Sequence, residues 1–260
     1  MGQNFLIDKG VLRKIIEAGD LSPEDVVLEI GPGLGILTLE LAKKVKKVIA
    51  VEKDRTLYQI LEGILQGRKI NNVKLINADI LKIQDSKLKI QNYKLLANLP
   101  YYITSPVIRR FLETKEKPEL MVLMVQKEVA QRICAKPGEM SLLSVSVQFY
   151  SQPKIITYVS KKSFYPQPKV DSAILKIIPK SIPKIDSQKF FQIVKIGFSS
   201  KRKMLINNLS KKLKMAEPPQ AYQKSKIKNL FKKMGINPKI RAENLSIKDW
   251  LKLFHEFYSP

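Results

Sequence analysis

The sequence predicts an α/β fold, a doubly wound and largely parallel sheet followed by a small C-terminal helical domain. Three observations predict it. Short apolar runs alternate with longer amphipathic stretches from Val26 to about Ile178. A glycine-rich turn follows the first of those runs, and strand-like runs stop after Pro179-Lys180-Ser181-Ile182-Pro183. Strands that alternate with helices imply βαβ units whose sheet is covered on both faces, a Rossmann-like arrangement.

Taken in order, Val26-Val27-Leu28-Glu29-Ile30 has a buried-strand pattern, and so does Val48-Ile49-Ala50-Val51. Val73-Lys74-Leu75-Ile76, Tyr93-Lys94-Leu95-Leu96-Ala97 and the apolar run 120–125 continue the series. Between them, 36–44 and 56–65 carry helical spacing, with Leu37, Leu41 and Val45 on one face of the first. The runs 155–159 and 172–178 are joined by a short loop and predict an antiparallel hairpin at the far edge. Beyond the proline-bounded linker, 189–198 places Phe190, Phe191, Val194 and Phe198 at helical spacing, and 222–234 and 246–257 are helical in pattern. The expected division is a catalytic domain over 1–180 and a basic helical domain over 181–260.

Composition narrows the function. At 260 residues and 44% hydrophobic, the chain is globular, with room for one large and one small domain. Lys and Arg number 47 against 23 Asp and Glu, a net charge of +24, which points to a polyanionic partner, nucleic acid or an anionic membrane surface. A single cysteine, Cys134, excludes an internal disulfide framework and multi-Cys zinc sites, and reads as a small buried apolar residue. The lone His255 excludes zinc sites built on several histidines and leaves almost no room for a Ser-His-Asp hydrolase. No apolar run approaches the roughly 20 residues of a spanning helix, and no secretory signal opens the chain. Leu6 stands where a myristoylation motif after Met1-Gly2 needs Ser or Thr. A reduced, cytoplasmic, monomeric protein without a membrane segment or metal is expected.

Five segments carry chemistry. The first strand runs into Glu29-Ile30-Gly31-Pro32-Gly33-Leu34-Gly35. Glycines at a strand-to-helix turn let the backbone approach a ligand closely. A dinucleotide fingerprint needs a third glycine where Ile36 stands, so the spacing suits S-adenosylmethionine (SAM), which has no pyrophosphate. Gly31 and Gly33 are the cofactor-facing positions on this account. Glu52 ends the second strand, where an acid accepts hydrogen bonds from ribose hydroxyls. Asp79, in the turn after the third strand, suits an adenine amino group; the plainer alternative is an ordinary turn Asp.

Asn98-Leu99-Pro100-Tyr101 ends the fourth strand. An exocyclic adenine amine is a poor nucleophile because its lone pair is delocalised into the ring. The Asn98 side-chain carbonyl and the backbone carbonyl of Leu99 or Pro100 can accept its two N–H bonds and localise that lone pair for in-line attack on a sulfonium methyl. Pro100 stiffens the turn, and Tyr101 offers a face on which a flipped base can stack. Phe164-Tyr165-Pro166-Gln167-Pro168-Lys169-Val170-Asp171-Ser172 forms a proline-stiffened loop whose Phe164 either closes the other side of a base pocket or is buried in the loop.

Together, Gly2-Gln3-Asn4-Phe5-Leu6, the glycine turn, Asn98 to Tyr101 and Phe164 to Ser172 resemble, in this order, the rRNA adenine N6-dimethyltransferases, and in particular the KsgA-type (RsmA) small-subunit family. Phe198-x-x-Lys201-Arg202-Lys203-x-Leu205-x-Asn207-Asn208-Leu209 and Arg241-Ala242-Glu243-x-Leu245-Ser246 look like that family's C-terminal domain. The resemblance spans essentially the whole chain. It implies SAM contacts from Gln3, Asn4, Leu6, Gly31, Glu52, Asp79 and Asn98, with S-adenosylhomocysteine as product. It further implies dimethylation of two adjacent adenines in a hairpin loop near the 3′ end of 16S rRNA, four SAM per small subunit, and a place in ribosome biogenesis. One departure is that Met1 abuts the Gly-Gln-Asn-Phe-Leu segment, where family members carry a short basic stretch.

Charge placement fits an RNA substrate. Residues 181–260 hold 18 Lys and Arg against 5 Asp and Glu, net +13, whereas 1–180 hold 29 against 18, net +11. Lys201-Arg202-Lys203 and Lys211-Lys212 are candidate phosphate contacts. The alternatives are a large-subunit (23S) dimethylase of the macrolide-resistance type and a non-catalytic rRNA-binding assembly factor on the same fold. A nicotinamide-dependent oxidoreductase is disfavoured by the glycine spacing and by the charge. DNA adenine methylation is disfavoured by Asn98 where Asp is more usual.

Overall fold

The structure, a computed structural model, describes residues 4–84, 88, 90–212 and 224–258, the side chains of 211 and 212 excepted. The chain divides into two compact units, one of residues 1–131 with 150–180 and one of 132–149 with 181–260.

The first unit is built on a seven-stranded sheet in the order β4-β3-β2-β5-β6-β9-β7. Its strands are β2 (Val26–Ile30), β3 (Lys47–Glu52), β4 (Val73–Asn77), β5 (Tyr93–Asn98), β6 (Leu120–Gln126), β7 (Ser151–Val159) and β9 (Ser172–Pro179). The first five are mutually parallel, and β9 and β7 are antiparallel at one edge. The near-continuous apolar sequences of β2 and β6 follow from burial on both faces. On one face Val48, Ala50, Leu96 and Val122 form a buried cluster with α1 (Lys9–Ala18) and α2 (Ile36–Ala42). The alternate residues Leu28, Ile49, Leu95 and Leu123 are equally buried and face the other way. Helix α3 (Arg55–Gly67) lies against β3 and β4, and α4 (Thr104–Glu113) follows β5.

A second, two-stranded sheet pairs β1 (Phe5–Leu6) with β8 (Phe164–Tyr165), Leu6 opposite Phe164. Two-residue strands carry no local pattern, so this pairing lay beyond the sequence analysis. It is reinforced on both sides. The Ile7 N–H donates to the Ser163 carbonyl at 2.9 Å, and the Ser163 hydroxyl donates to Asp8 Oδ2 at 2.9 Å. Asp8 also caps α1, its Oδ1 accepting from the Gly10 and Val11 N–H groups.

The second unit holds α7 (Ser187–Gly197), α8 (Leu205–Lys212), α9 (Lys224–Lys233) and α10 (Ile247–Tyr258) around Phe190, Phe231, Leu209 and Trp250, all fully buried. The expected boundary after 180 put 132–149, which includes most of α6 (Leu142–Tyr150), in the first domain; the structure groups it with the second. The reason is specific contacts. Phe149 stacks on Phe190 with ring centres 4.6 Å apart, and the Gly138 and Met140 N–H groups both donate to the Glu243 carbonyl. Cys134, expected to be buried, is half-exposed. Of the expected helix 222–234, positions 222 and 223 lie outside the described residues. Among the described residues, no helix is long and apolar enough to cross a membrane.

Candidate active site

Strands β2, β3, β4 and β5 end on one edge of the sheet, the carboxyl edge where open α/β sheets bind ligands. A cavity of about 630 Å³ opens there. Its floor is the turn between β2 and α2, where Gly31, Gly33 and Gly35 have φ of +67°, +57° and +81°. At Gly35 an added Cβ would stand 2.4 Å from Leu61 Cδ1, so this glycine serves the close packing of α2 on α3. At Gly33 the same atom would press on the Phe5 ring at 3.2 Å.

Glu52, at the end of β3, is bound into that turn. Its Oε2 accepts from the Gly33 N–H at 3.1 Å and its Oε1 from the Asp54 N–H at 2.8 Å. Each carboxylate oxygen keeps a lone pair. Asn77 steadies the strand end by donating to the Glu52 carbonyl at 2.9 Å.

Glu29, the acid just before the glycines, is almost fully buried, and its Oε2 has no hydrogen-bond partner among the described residues. Burial pushes this carboxyl up to about 8; the nearby Thr38 hydroxyl opposes the shift and the Glu52 carboxylate adds to it. Glu29 is also among the residues that line the cavity.

Asp79 follows β4. It accepts from the Leu81 N–H at 3.0 Å and pairs with Lys53 Nζ at 3.1 Å. Burial pushes its carboxyl up, but the Leu81 N–H and Lys53 outweigh this and hold it below the usual range. Arg110, on α4, donates to the Ile80 and Ile83 carbonyls and so ties this loop to the helix that follows the Asn-Leu-Pro-Tyr segment.

Asn98 ends β5 half-buried, and its side chain forms no hydrogen bond among the described residues. The Pro100 carbonyl accepts from the Ile103 N–H at 3.1 Å, whereas the Leu99 carbonyl accepts none among the described residues. The Tyr101 hydroxyl meets Ser172 Oγ at 2.8 Å, which anchors the ring to β9. Phe164 is buried, yet it lines the same cavity from β8.

The structure therefore brings Asn4, Leu6, Gly31, Gly33, Glu52, Asp79, Asn98, Leu99, Pro100, Tyr101 and Phe164 to one cavity. Gln3 lies outside the described residues. The site list drawn from the sequence omitted Phe5, Glu29, Ile80, Leu81 and Tyr102, which also line the cavity. Each lies within two positions of a residue singled out, so the flanks of the motifs were the available signal. Tyr102 is 68% exposed, unusual for an aromatic beside a cavity.

The fold and this sheet edge define a Rossmann-like methyltransferase. A sequence profile described as ribosomal RNA adenine dimethylase matches residues 1–259, and the chain belongs to that family. A Dehalococcoides mccartyi protein named ribosomal RNA small subunit methyltransferase A is 48% identical over 99% of this chain and 87% of its own length. The crystal structure of a dimethyladenosine transferase from Plasmodium falciparum is 31% identical, covers 97% of both chains and superposes with a TM-score of 0.86. The 23S rRNA methyltransferase ErmE is 26% identical over 98% of this chain and 99% of its own, with a TM-score of 0.77.

Proposed function

We propose that this protein uses SAM to dimethylate, at N6, two adjacent adenines in a hairpin loop near the 3′ end of 16S rRNA, during small-subunit biogenesis in the cytoplasm. The observation that carries the reading is the pair of unused acceptors at the end of β5, the Asn98 side chain and the Leu99 carbonyl, opening on the cavity that also holds Glu52 and Asp79. The higher identity to a small-subunit enzyme than to ErmE favours 16S over 23S rRNA. The presence of Glu52, Asp79 and Asn98 favours catalysis over a purely structural role in assembly.

The residues fit SAM. Glu52, with lone pairs to spare, suits the ribose hydroxyls, and Asp79 suits the adenine amine. When bound, SAM supplies an electrophilic sulfonium methyl. Asn98 and Leu99 then accept the two N–H bonds of the target amine and localise its lone pair. The Pro100 carbonyl already accepts from the Ile103 N–H, which favours Leu99 as the backbone acceptor. Tyr101, anchored by Ser172, presents a ring to the extruded base. After transfer the cationic amine is acidic and releases its proton to water or to a neighbouring carbonyl. Catalysis thus rests on positioning and electrostatics.

In the helical unit, Asn208 donates to the Gly197 and Ser200 carbonyls at 2.7 and 3.1 Å and so shapes the turn that displays Lys201, Arg202 and Lys203, all exposed. These are the proposed rRNA phosphate contacts; the side chains of Lys211 and Lys212 lie outside the described residues. Incubation with labelled SAM and undermethylated small subunits, followed by nucleoside mass analysis, tests the reading. Dimethyladenosine is expected, and its absence rejects the proposal.

A further inference from the structure

A second recess, of about 330 Å³, opens on the same edge of the sheet where β6 ends. Three lysines line it, Lys127 from the start of α5 (Lys127–Ile133) and Lys161 and Lys169 from the segment joining β7 to β9, together with the Gln126 and Gln131 side chains. The carboxylates in its wall are Glu128 and Asp171. Asp171 is engaged by backbone, its Oδ1 accepting from the Lys161 N–H at 3.0 Å and its carbonyl from the Lys127 N–H at 3.0 Å.

None of the three ammonium groups forms an ion pair among the described residues. Lysines do pair with carboxylates in places, as Lys94 does with Asp25 and Lys43 with Glu40. Lys127 Nζ instead lies over the Tyr158 ring, 5.2 Å from its centre. Gathering like charges in a concave surface costs free energy that an anion recovers, and the two glutamine amides add neutral donors. The recess also adjoins the proposed chemistry. Gln126 pairs in register with Ser172, whose hydroxyl holds Tyr101, and neighbouring strands lie only about 4.8 Å apart.

We propose that this recess binds a backbone phosphate of the RNA strand flanking the target adenine. The proposal rests on the reading of the protein as an RNA methyltransferase. The bound phosphate sets the register of the strand so that the extruded base meets Asn98, and it carries no sequence information itself.

The test uses the full chain with Lys127→Ala, Lys161→Ala and Lys169→Ala combined. Binding to undermethylated small subunits is measured across a salt series, alongside SAM binding and thermal melting. SAM affinity and melting temperature should match the wild type. RNA affinity at low salt should fall by about tenfold or more, and the slope of log K against log salt should flatten by about 0.7, as expected when one single-strand phosphate is no longer neutralised. The triple Lys→Arg variant should restore both. Wild-type affinity and slope in the alanine triple would overturn the proposal, and so would an affinity loss with an unchanged slope. If the triple melts early, Lys161→Ala and Lys169→Ala combined, with Lys127 kept over Tyr158, should still flatten the slope by most of that about 0.7, and an unchanged slope would overturn it equally. Failure of the underlying reading is separately visible, since the wild type would then transfer no methyl groups to the subunit.

Discussion

The sheet-edge cavity and the basic helical unit differ in how their functional groups are held. In the cavity the polar groups are few, largely shielded from water and fastened to backbone: Glu52 to the Gly33 and Asp54 N–H groups, Asp79 to that of Leu81. In the helical unit the order lies inside, in the stacked Phe149 and Phe190 and the buried Trp250, while Lys201, Arg202 and Lys203 stand in solvent. Electrostatic interactions in a shielded pocket are strong and directional, whereas exposed charges are screened and nearly interchangeable. Single substitutions should therefore be severe in the first region and slight in the second, unless they strike the second region's core.

The largest effect is expected from Asn98→Ala, which removes one of the two acceptors proposed for the target amine. Single-turnover methyl transfer should slow by about 10²–10³-fold, with melting unchanged; full activity would sink the role given to this segment. Glu29→Gln should come next, as a gain in stability. The folded carboxyl sits at about 8 against an ordinary 4.5, so between these values the folded chain holds a proton that the unfolded chain has released. Its contribution is intact below pH 4.5 and lost as pH rises toward 8, at a slope approaching about 1.4 kcal/mol per pH unit. Denaturant melts of the ligand-free protein from pH 5 to 8 should show that slope in the wild type and its loss in Glu29→Gln. Parallel curves would refute it.

Within the helical unit, Gly197→Ala sharpens the comparison by attacking the core. The added methyl would stand 2.4 Å from Trp250 Cη2 and 2.9 Å from Leu205 Cδ1, so chemical denaturation should register a loss of about 1–3 kcal/mol. The smallest effect belongs to Lys201→Ala. Stability should stay within about 0.5 kcal/mol of wild type, and the salt dependence of rRNA binding should flatten by about 1. A tenfold loss of turnover in that variant would break the proposed contrast.

Much of the cavity was legible because its parts sit at strand ends. Buried parallel strands read as apolar runs, so the residue that closes each run, Glu52 or Asn98, falls on the binding edge without further information. The antiparallel edge was legible too, although β7 begins at Ser151, four residues before the run that predicted it. What stayed hidden depended on contacts between distant segments. The β1–β8 pairing joins two dipeptides from opposite ends of the first unit, and no local pattern announces it. The allegiance of 132–149 rests on Phe149 meeting Phe190 and on Glu243 receiving two N–H groups.

The sequence by itself determined the α/β class, the glycine turn at the carboxyl edge of the sheet, the acids and amide at strand ends, and the excess positive charge. These follow from residue type and spacing, which act locally. Only the tertiary structure decided that, among the described residues, the Pro100 carbonyl accepts from Ile103 while the Leu99 carbonyl and one Glu29 oxygen have no donor, that Lys53 pairs with Asp79, and that Lys127, Lys161 and Lys169 converge on one recess. Hydrogen-bond occupancy and burial are properties of packed neighbours, and the neighbours in each case come from different segments of the chain.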